Sequence, residues 1–413
     1  MGTRVFADTT VDPVPVPAPV EQKTPMFLKS GAVDFPLLLI AIGFLVFGLL
    51  MVYSASWDFS FIWYGDAMHQ FYRQLISLGI GLALAVFFAL LDYHNLKKFA
   101  LPAMLALIAF LFIELFIGGR RGFFNGSVQP SEFAKIIAIV YIAVWMYAKR
   151  DQIHDLQWGL FPLGVILGFI CGLIYLQPDF SATVTVFLLG GLLFFLGGGD
   201  IKQIVILVII ASVAGVLVVK ASSYNSTRMS DYFNGIIDLT KTSYHLRYSF
   251  EAIVMGSWLG VGIGLASTKL NGLPFAPTDS IYAVIAEELG LAGAAGTVLL
   301  YCLLVWRGLR IAQRAPDLLG GLLAAGLTFW IGAEALLNML VMVGLMPFAG
   351  NALPFISYGG SSLVCVLSAI GIIMSVSRHI APQAEQQEWS STSESVDLRG
   401  RNRRRSLSRI SRS

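Results

Sequence analysis

The sequence predicts an all-α integral membrane protein of about ten transmembrane helices, with a large extracytoplasmic loop between spans 7 and 8. Composition carries the first part: 56% of the 413 residues are hydrophobic, 13% are charged, and the mean hydropathy is +0.73. A soluble domain carries about 25% charged residues. Apolar runs long enough to cross a bilayer then recur along the whole chain. They lack the alternation of barrel strands and are far longer than one, which argues against an outer-membrane barrel.

In chain order, residues 1–33 come first as a polar, Pro-rich segment (Val11-Asp-Pro-Val-Pro-Val-Pro-Ala-Pro). It has no cationic start followed by a small-residue cleavage site, so it does not read as a signal peptide. It reads as an extended, poorly ordered cytoplasmic tail. A polytopic domain follows over 34–380, with spans near 34–54, 72–91, 98–117, 131–149, 158–176, 182–197 and 203–220. The stretch 221–280 is the longest between spans, and three more spans follow near 281–306, 320–345 and 357–378. Residues 381–413 form a polar tail ending in an Arg-rich run, expected to be solvated and cytoplasmic and able to touch anionic lipid.

Loop charge sets the orientation. With the first segment inside, the inner loops hold Lys97, Lys98, Lys149, Arg150, Lys202, Arg307, Arg310 and Arg314; the short outer loops hold chiefly Arg120 and Arg121. This positive-inside pattern places both termini in the cytoplasm and 221–280 outside. Cys171, Cys302 and Cys365 fall in apolar spans without CxxC or Cys/His spacing, so neither a disulfide framework nor a zinc site is indicated. The five histidines are scattered along the chain.

The polar chemistry collects at the outer ends of spans. Asp279 precedes the long apolar helix from Ile281 and so should sit where membrane meets water. A carboxylate at that depth is costly, which makes it a functional candidate. Gln129-Pro-Ser-Glu-Phe-Ala-Lys135 opens the fourth span, with Pro130 and Ser131 as helix-start chemistry. Glu132 and Lys135 share a helix face there and should pair inside the bundle, where they could equally serve only to fix helix packing. Asp179, in Gln177-Pro-Asp-Phe180, could simply cap the next helix.

Arg228, Tyr244, His245, Arg247 and Lys269 bring cations and aromatics to the long outer segment, a mixture suited to an anionic, sugar-bearing ligand. The glycines of Gly256-Ser-Trp-Leu-Gly-Val-Gly-Ile-Gly264 follow no strand, so close packing or turns explain them better than a phosphate loop. Leu353-Pro-Phe-Ile-Ser-Tyr-Gly-Gly-Ser-Ser362 should pack or shape a cavity. From residues alone an enzyme, a transporter or lipid flippase, and a non-enzymatic scaffold all stay open. No internal repeat of the kind many transporters carry is evident.

Taken in order, Met51-Val-Tyr-Ser-Ala-Ser56, the Gln129–Lys135 and Gln177–Asp179 clusters, Pro274 to Asp279, Glu287-Glu-Leu-Gly290 and the Leu353–Ser362 segment resemble the SEDS family of bacterial peptidoglycan polymerases, of FtsW/RodA type and closer to FtsW. The resemblance covers roughly 34–380. It implies a glycosyltransferase that polymerises lipid II at the outer face of the cytoplasmic membrane for septal wall synthesis, with a RodA-type elongation polymerase as the alternative. It implies Asp279 as the essential aspartate, Glu132 and Lys135 as a pair lining a central cavity, and Asp179 as a further acid there. A class B penicillin-binding protein is the implied partner, with other divisome or elongasome membrane proteins and membrane lipid; nucleic acid is not among the partners. The pattern departs at Gly122, Ser181, His245, Phe275 and Pro277, and the last two remove acidic and imidazole neighbours of Asp279. Arg228, Arg247, Lys269 and Lys135 are the candidate countercharges for a departing pyrophosphate. A divalent cation, Mg²⁺ or Mn²⁺, could assist them, since one or two carboxylates plus phosphate oxygens suffice; which residues would hold it stays open.

Overall fold

A computed structural model of the chain describes residues 33–117, 129–221, 223–237, 242–348 and 350–380. The two tails (apart from Val33), Arg120, Arg121 and Gly122 lie outside the described residues. Helices occupy all ten expected positions, and no β-strand forms among the described residues. Eight of these helices are long and apolar enough to cross a membrane, and the other two carry shorter apolar stretches, Phe180–Leu196 and Ile201–Val213. The chain is a multi-pass, all-helical membrane protein.

Asp34 caps α1 (Phe35–Tyr64) by accepting the Leu37 N–H at 3.0 Å, and Pro36 sits in the first turn. The helix outruns its expected end because no breaker occurs before Gly65, whose left-handed φ of 71° terminates it. α2 (His69–Leu90) and α3 (Leu96–Ile117) are joined by a 3₁₀ turn over Tyr93–Asn95. α4 (Pro130–Lys149) starts on its proline as the sequence predicts. α5 (Phe161–Leu176) follows a π-helical turn, and α6 (Phe180–Leu196) is capped by the Asp179 carboxylate, which accepts the Ala182 N–H at 3.2 Å. α7 (Ile201–Ala221) leads into the long connection, which is itself partly helical: α8 (Ser223–Ile237), α9 (Tyr244–Gly256) and the single turn α10 (Thr268–Asn271).

The last three helices are α11 (Ile281–Gln313), α12 (Leu318–Met342) and α13 (Gly360–Ile380). α13 is 89% buried over its apolar stretch and α2 only 11%, so α12 and α13 form the centre and α2 the rim. α12 packs on α11, α4, α6 and α9. Arg307 near the end of α11 grips Asp34 with two hydrogen bonds of 2.9 and 2.7 Å, tying α11 to the start of α1.

α11 is broken at Gly290, where φ is 67° and ψ −165°. The loose backbone groups at the break find partners in the glycine-rich segment. Val261 and Gly262 donate to the Glu287 and Glu288 carbonyls at 3.0 Å each, and Leu291 donates to the Ser257 carbonyl at 2.9 Å. A Cβ on Gly256 would lie 1.8 Å from the Ala286 carbonyl oxygen, so this approach requires glycine. Close backbone packing is therefore the role of Gly256 and Gly260, while Gly262 and Gly264 take the positive φ of turns. Glu287 and Glu288, both fully buried, serve the same join: Glu287 accepts from the Ser267 and Thr268 amides, and Glu288 accepts from Ser54 and Lys269.

Candidate active site

A cavity of about 600 Å³ opens where α2, the start of α4, the Asp179 cap, the Thr278–Asp279 turn, α12 and the start of α13 meet. Its acidic and basic lining is Arg73, Glu132, Lys135, Asp179, Asp279 and Glu334. A larger cleft of about 1250 Å³ between α5, α6 and α7 contains no charged side chain, so its chemistry is that of a lipid-facing surface.

Three carbonyls hold the Asp279 turn in place. Asn338 of α12 donates to the Asp279 carbonyl at 2.8 Å and to the Asn351 carbonyl at 2.6 Å. Ser357 donates to the Thr278 carbonyl at 2.6 Å, and the Tyr358 amide donates to the Pro277 carbonyl at 2.8 Å. The Leu353–Ser362 segment thus docks on the turn that carries the acid. Asp279 itself is half-buried at the cavity edge.

Across the cavity Lys135 sits between two acids. Its ammonium donates to Glu132 at 2.8 Å and also to Glu334. Lys135 and Glu334 side chains are 4% and 6% exposed, which makes this a buried triad. Two of the three ammonium donors are committed, leaving one for a ligand. Asp179 accepts from Gln129 at 2.9 Å and Ser131 at 2.7 Å while capping α6, so its capping and cavity-lining readings both hold.

The loop candidates separate from this cavity. Arg228 and His245 line a smaller pocket of about 250 Å³, where Arg228 lies over the Phe348 ring at 5.1 Å. Phe348 faces that pocket while Gly350, two residues on, lines the main one, so the two are neighbours. Burial, and then the Arg228 charge, pushes the His245 imidazole below its usual pKa. Arg247 is exposed, Tyr244 is exposed and packs on Tyr248, and both line neither cavity. Lys269 is turned away from both, its side chain 3% exposed and paired with Glu288 at 3.0 Å. For Lys269 the ligand reading gives way to a structural one, because Glu288 at the α11 break needs a counter-ion.

Glu334 and Asn338 are the residues that the sequence reading passed over, along with Arg73. Glu334 had a signal: it is the one acid in an otherwise uncharged span, a position that membrane burial makes expensive. Among the described residues one grouping of side chains could ligate a metal, Asp92, His94 and His379, and it does not line this cavity.

The profile of the cell cycle protein family FtsW/RodA/SpoVE matches residues 35–381. The chain belongs to that family. It is 32% identical to a probable peptidoglycan glycosyltransferase FtsW of Pseudomonas fluorescens, over 83% of this chain and 87% of that one. It is 33% identical to the stage V sporulation protein E of Bacillus subtilis, over 86% and 99%. Among solved structures it is similar to a chain of a peptidoglycan synthase complex that coordinates polymerization and crosslinking, with TM-score 0.71, 26% identity and coverage of 84% and 98%. The rod shape determining protein RodA of Thermus thermophilus shares the fold, with TM-score 0.61, 24% identity and coverage of 84% and 97%.

Within this FtsW/RodA/SpoVE chain two departures from the family pattern touch. His245 stacks parallel on Phe275, at 5.8 Å and 2°, and on Phe348 at 4.1 Å. A neutral imidazole between two phenyl rings replaces what the pattern would make a polar pair. Pro277 keeps a different role, since its carbonyl anchors the turn.

Proposed function

We infer that the chain is a peptidoglycan glycosyltransferase that polymerises lipid II at the outer face of the bacterial cytoplasmic membrane, most directly in septal wall synthesis. The observation that carries this is Asp279, a carboxylate on a braced turn, lining the same cavity as Lys135 and Arg73. The names of the curated relatives support the reaction class and favour the FtsW type over elongation. All ten apolar helices cross the bilayer in this reading, with both termini cytoplasmic and 221–280 outside. The tails, at 1–33 and 381–413, extend into the cytoplasm.

A sugar hydroxyl is a poor nucleophile at neutral pH. Asp279 takes its proton as the new C–O bond forms at the anomeric carbon of the donor and the bond to pyrophosphate breaks, with inversion. A positioned base of this kind contributes about 10²–10⁴-fold. Lys135 and Arg73 face the charge that develops on the leaving group, and Arg228 offers a further cation in the adjoining pocket. The cavity lining holds four acids (Glu132, Asp179, Asp279, Glu334) against two bases, so an entering pyrophosphate meets net negative charge. Hard carboxylate oxygens suit Mg²⁺ or Mn²⁺, so the acids of this cavity could share such an ion with phosphate oxygens. Bound there, it would neutralise the pyrophosphate. A class B penicillin-binding protein is the proposed partner, in keeping with the likeness to a peptidoglycan synthase complex.

The test is polymerisation of purified lipid II by the protein with its partner, wild type against Asp279→Asn. Glycan chains from the first and almost none from the second are expected. Equal chain formation would remove Asp279 as the base.

A further inference from the structure

At the opposite end of the bundle the fold brings together two histidines that lie far apart in the sequence. His379 ends α13, whose other end lines the cavity; Ser361 and His379 are about 27 Å apart at ~1.5 Å per helical residue. Asp92 and His94 belong to the α2–α3 connection. Asp92 Oδ1 lies 2.7 Å from His94 Nδ1 and 3.3 Å from His379 Nε2. All three side chains bring a ligand atom within 4.8 Å of one another.

Each ring is also held from outside by an acceptor. His379 Nδ1 is 2.9 Å from the Ser375 carbonyl oxygen, and His94 Nε2 is 3.3 Å from Asp317 Oδ2. A neutral imidazole has one N–H. If that N–H points outward to its acceptor, the inner nitrogen aims a lone pair at Asp92 Oδ1. Two lone pairs and a carboxylate oxygen then converge on one point. In that tautomer two added protons or one doubly charged cation would hold the cluster together, whereas in the opposite tautomer the inner N–H groups donate to Asp92 Oδ1, which also accepts the His94 amide at 2.9 Å.

We propose that Asp92, His94 and His379 form a binding site for one divalent transition-metal ion of the zinc class. Two imidazole nitrogens and a carboxylate oxygen are a common zinc donor set, and three protein ligands leave a fourth position for water. Bonds of about 2.0–2.1 Å in a tetrahedron put neighbouring donors about 3.3 Å apart, which the His379–Asp92 edge matches. The His94–Asp92 edge must open by roughly half an ångström to match. The outer contacts follow the pattern in which a ligating histidine donates its other N–H to a carboxylate or a backbone carbonyl. Asp317 is itself fixed by Tyr93, which donates at 2.7 Å, and by the Gly320 amide at 2.9 Å. The ion would staple the end of α13 to the α2–α3 connection and, through Asp317, to the start of α12.

The test uses untagged full-length protein in detergent, stripped with a chelator and titrated with Zn²⁺ by calorimetry, with Co²⁺ absorption reporting the donor set. One Zn²⁺ per chain and a higher apparent Tm are expected. His94→Gln and His379→Gln should each weaken binding at least tenfold, and Asp317→Asn should weaken it less. Gel filtration checks that each variant is folded, and the wild-type titration stands without any variant. Absence of saturable binding to the wild type overturns the proposal, as does unchanged binding in the folded double histidine variant. Stabilisation by acid without Zn²⁺ uptake assigns the two charges to protons and also overturns it.

Discussion

Replacing Lys135 by Met removes the one cation between Glu132 and Glu334. Both carboxylates then remain at a site where Glu334 is 6% exposed and Glu132 14%. Breaking a buried pair by deleting one partner costs about 3–5 kcal/mol, because the other charge stays desolvated. Taking about 2 °C per kcal/mol for a long chain, the apparent Tm in detergent should fall by roughly 6–10 °C. Removing the second charge should return part of the loss. The double variant Lys135→Met with Glu334→Gln is therefore expected to melt above Lys135→Met alone, with a coupling of about 1–3 kcal/mol across the cycle. The assay is fluorescence-detected melting of four proteins: wild type, both single variants and the double. If Lys135→Met melts with wild type, or the double variant simply adds the two single losses, the triad is not a buried charge network. In either case the reasoning about cavity charge fails with it.

Three further outcomes follow from named contacts. Gly256→Ala should cost more than about 3 kcal/mol, since its Cβ would meet the Ala286 carbonyl at 1.8 Å, whereas Gly296→Ala, with nothing within 4 Å, should be neutral or mildly stabilising; melting of both variants decides it. His245 has a folded pKa below its unfolded value of 6.5, so the unfolded state binds the proton first as pH falls. Stability should be full above pH 6.5 and decline below it, and His245→Phe should flatten that decline between pH 8 and 5; equal slopes would contradict a neutral stacked ring. Lys269→Met should lower Tm by stranding the fully buried Glu288, while Arg247→Ala should leave polymerisation within twofold of wild type. A large loss of activity in folded Arg247→Ala would return that residue to the site.

Hydropathy made the helices legible, and span-end chemistry made much of the site legible. Gln129-Pro-Ser-Glu reads as a helix start because proline and serine there satisfy orphan amides, and the structure starts α4 on Pro130. Asp279, Glu132, Lys135 and Asp179 share a cavity because each lies at the same end of its span. The loop cations were not legible in the same way. Which way Lys269 turns depends on Glu288, nineteen positions on, and on a break in α11 that local sequence does not announce. A single glycine in an apolar run can be an ordinary helix residue; at Gly290 it becomes a break because backbone from residues 257–262 supplies the partners. Glu334 was readable as a lone acid in a span, but its pairing with Lys135 needs α4 and α12 to be neighbours. The joining of His94 and His379 is likewise tertiary, and nothing in their spacing foretells it.

Lipid II turnover by Asp279→Asn, measured beside lipid II binding and melting of the same sample, tests the central claim most directly. The account expects unchanged binding and Tm, with polymerisation down by about 10²–10⁴-fold, the range of a lost general base. A variant that binds lipid II, melts with wild type and still polymerises within tenfold of it would contradict the account.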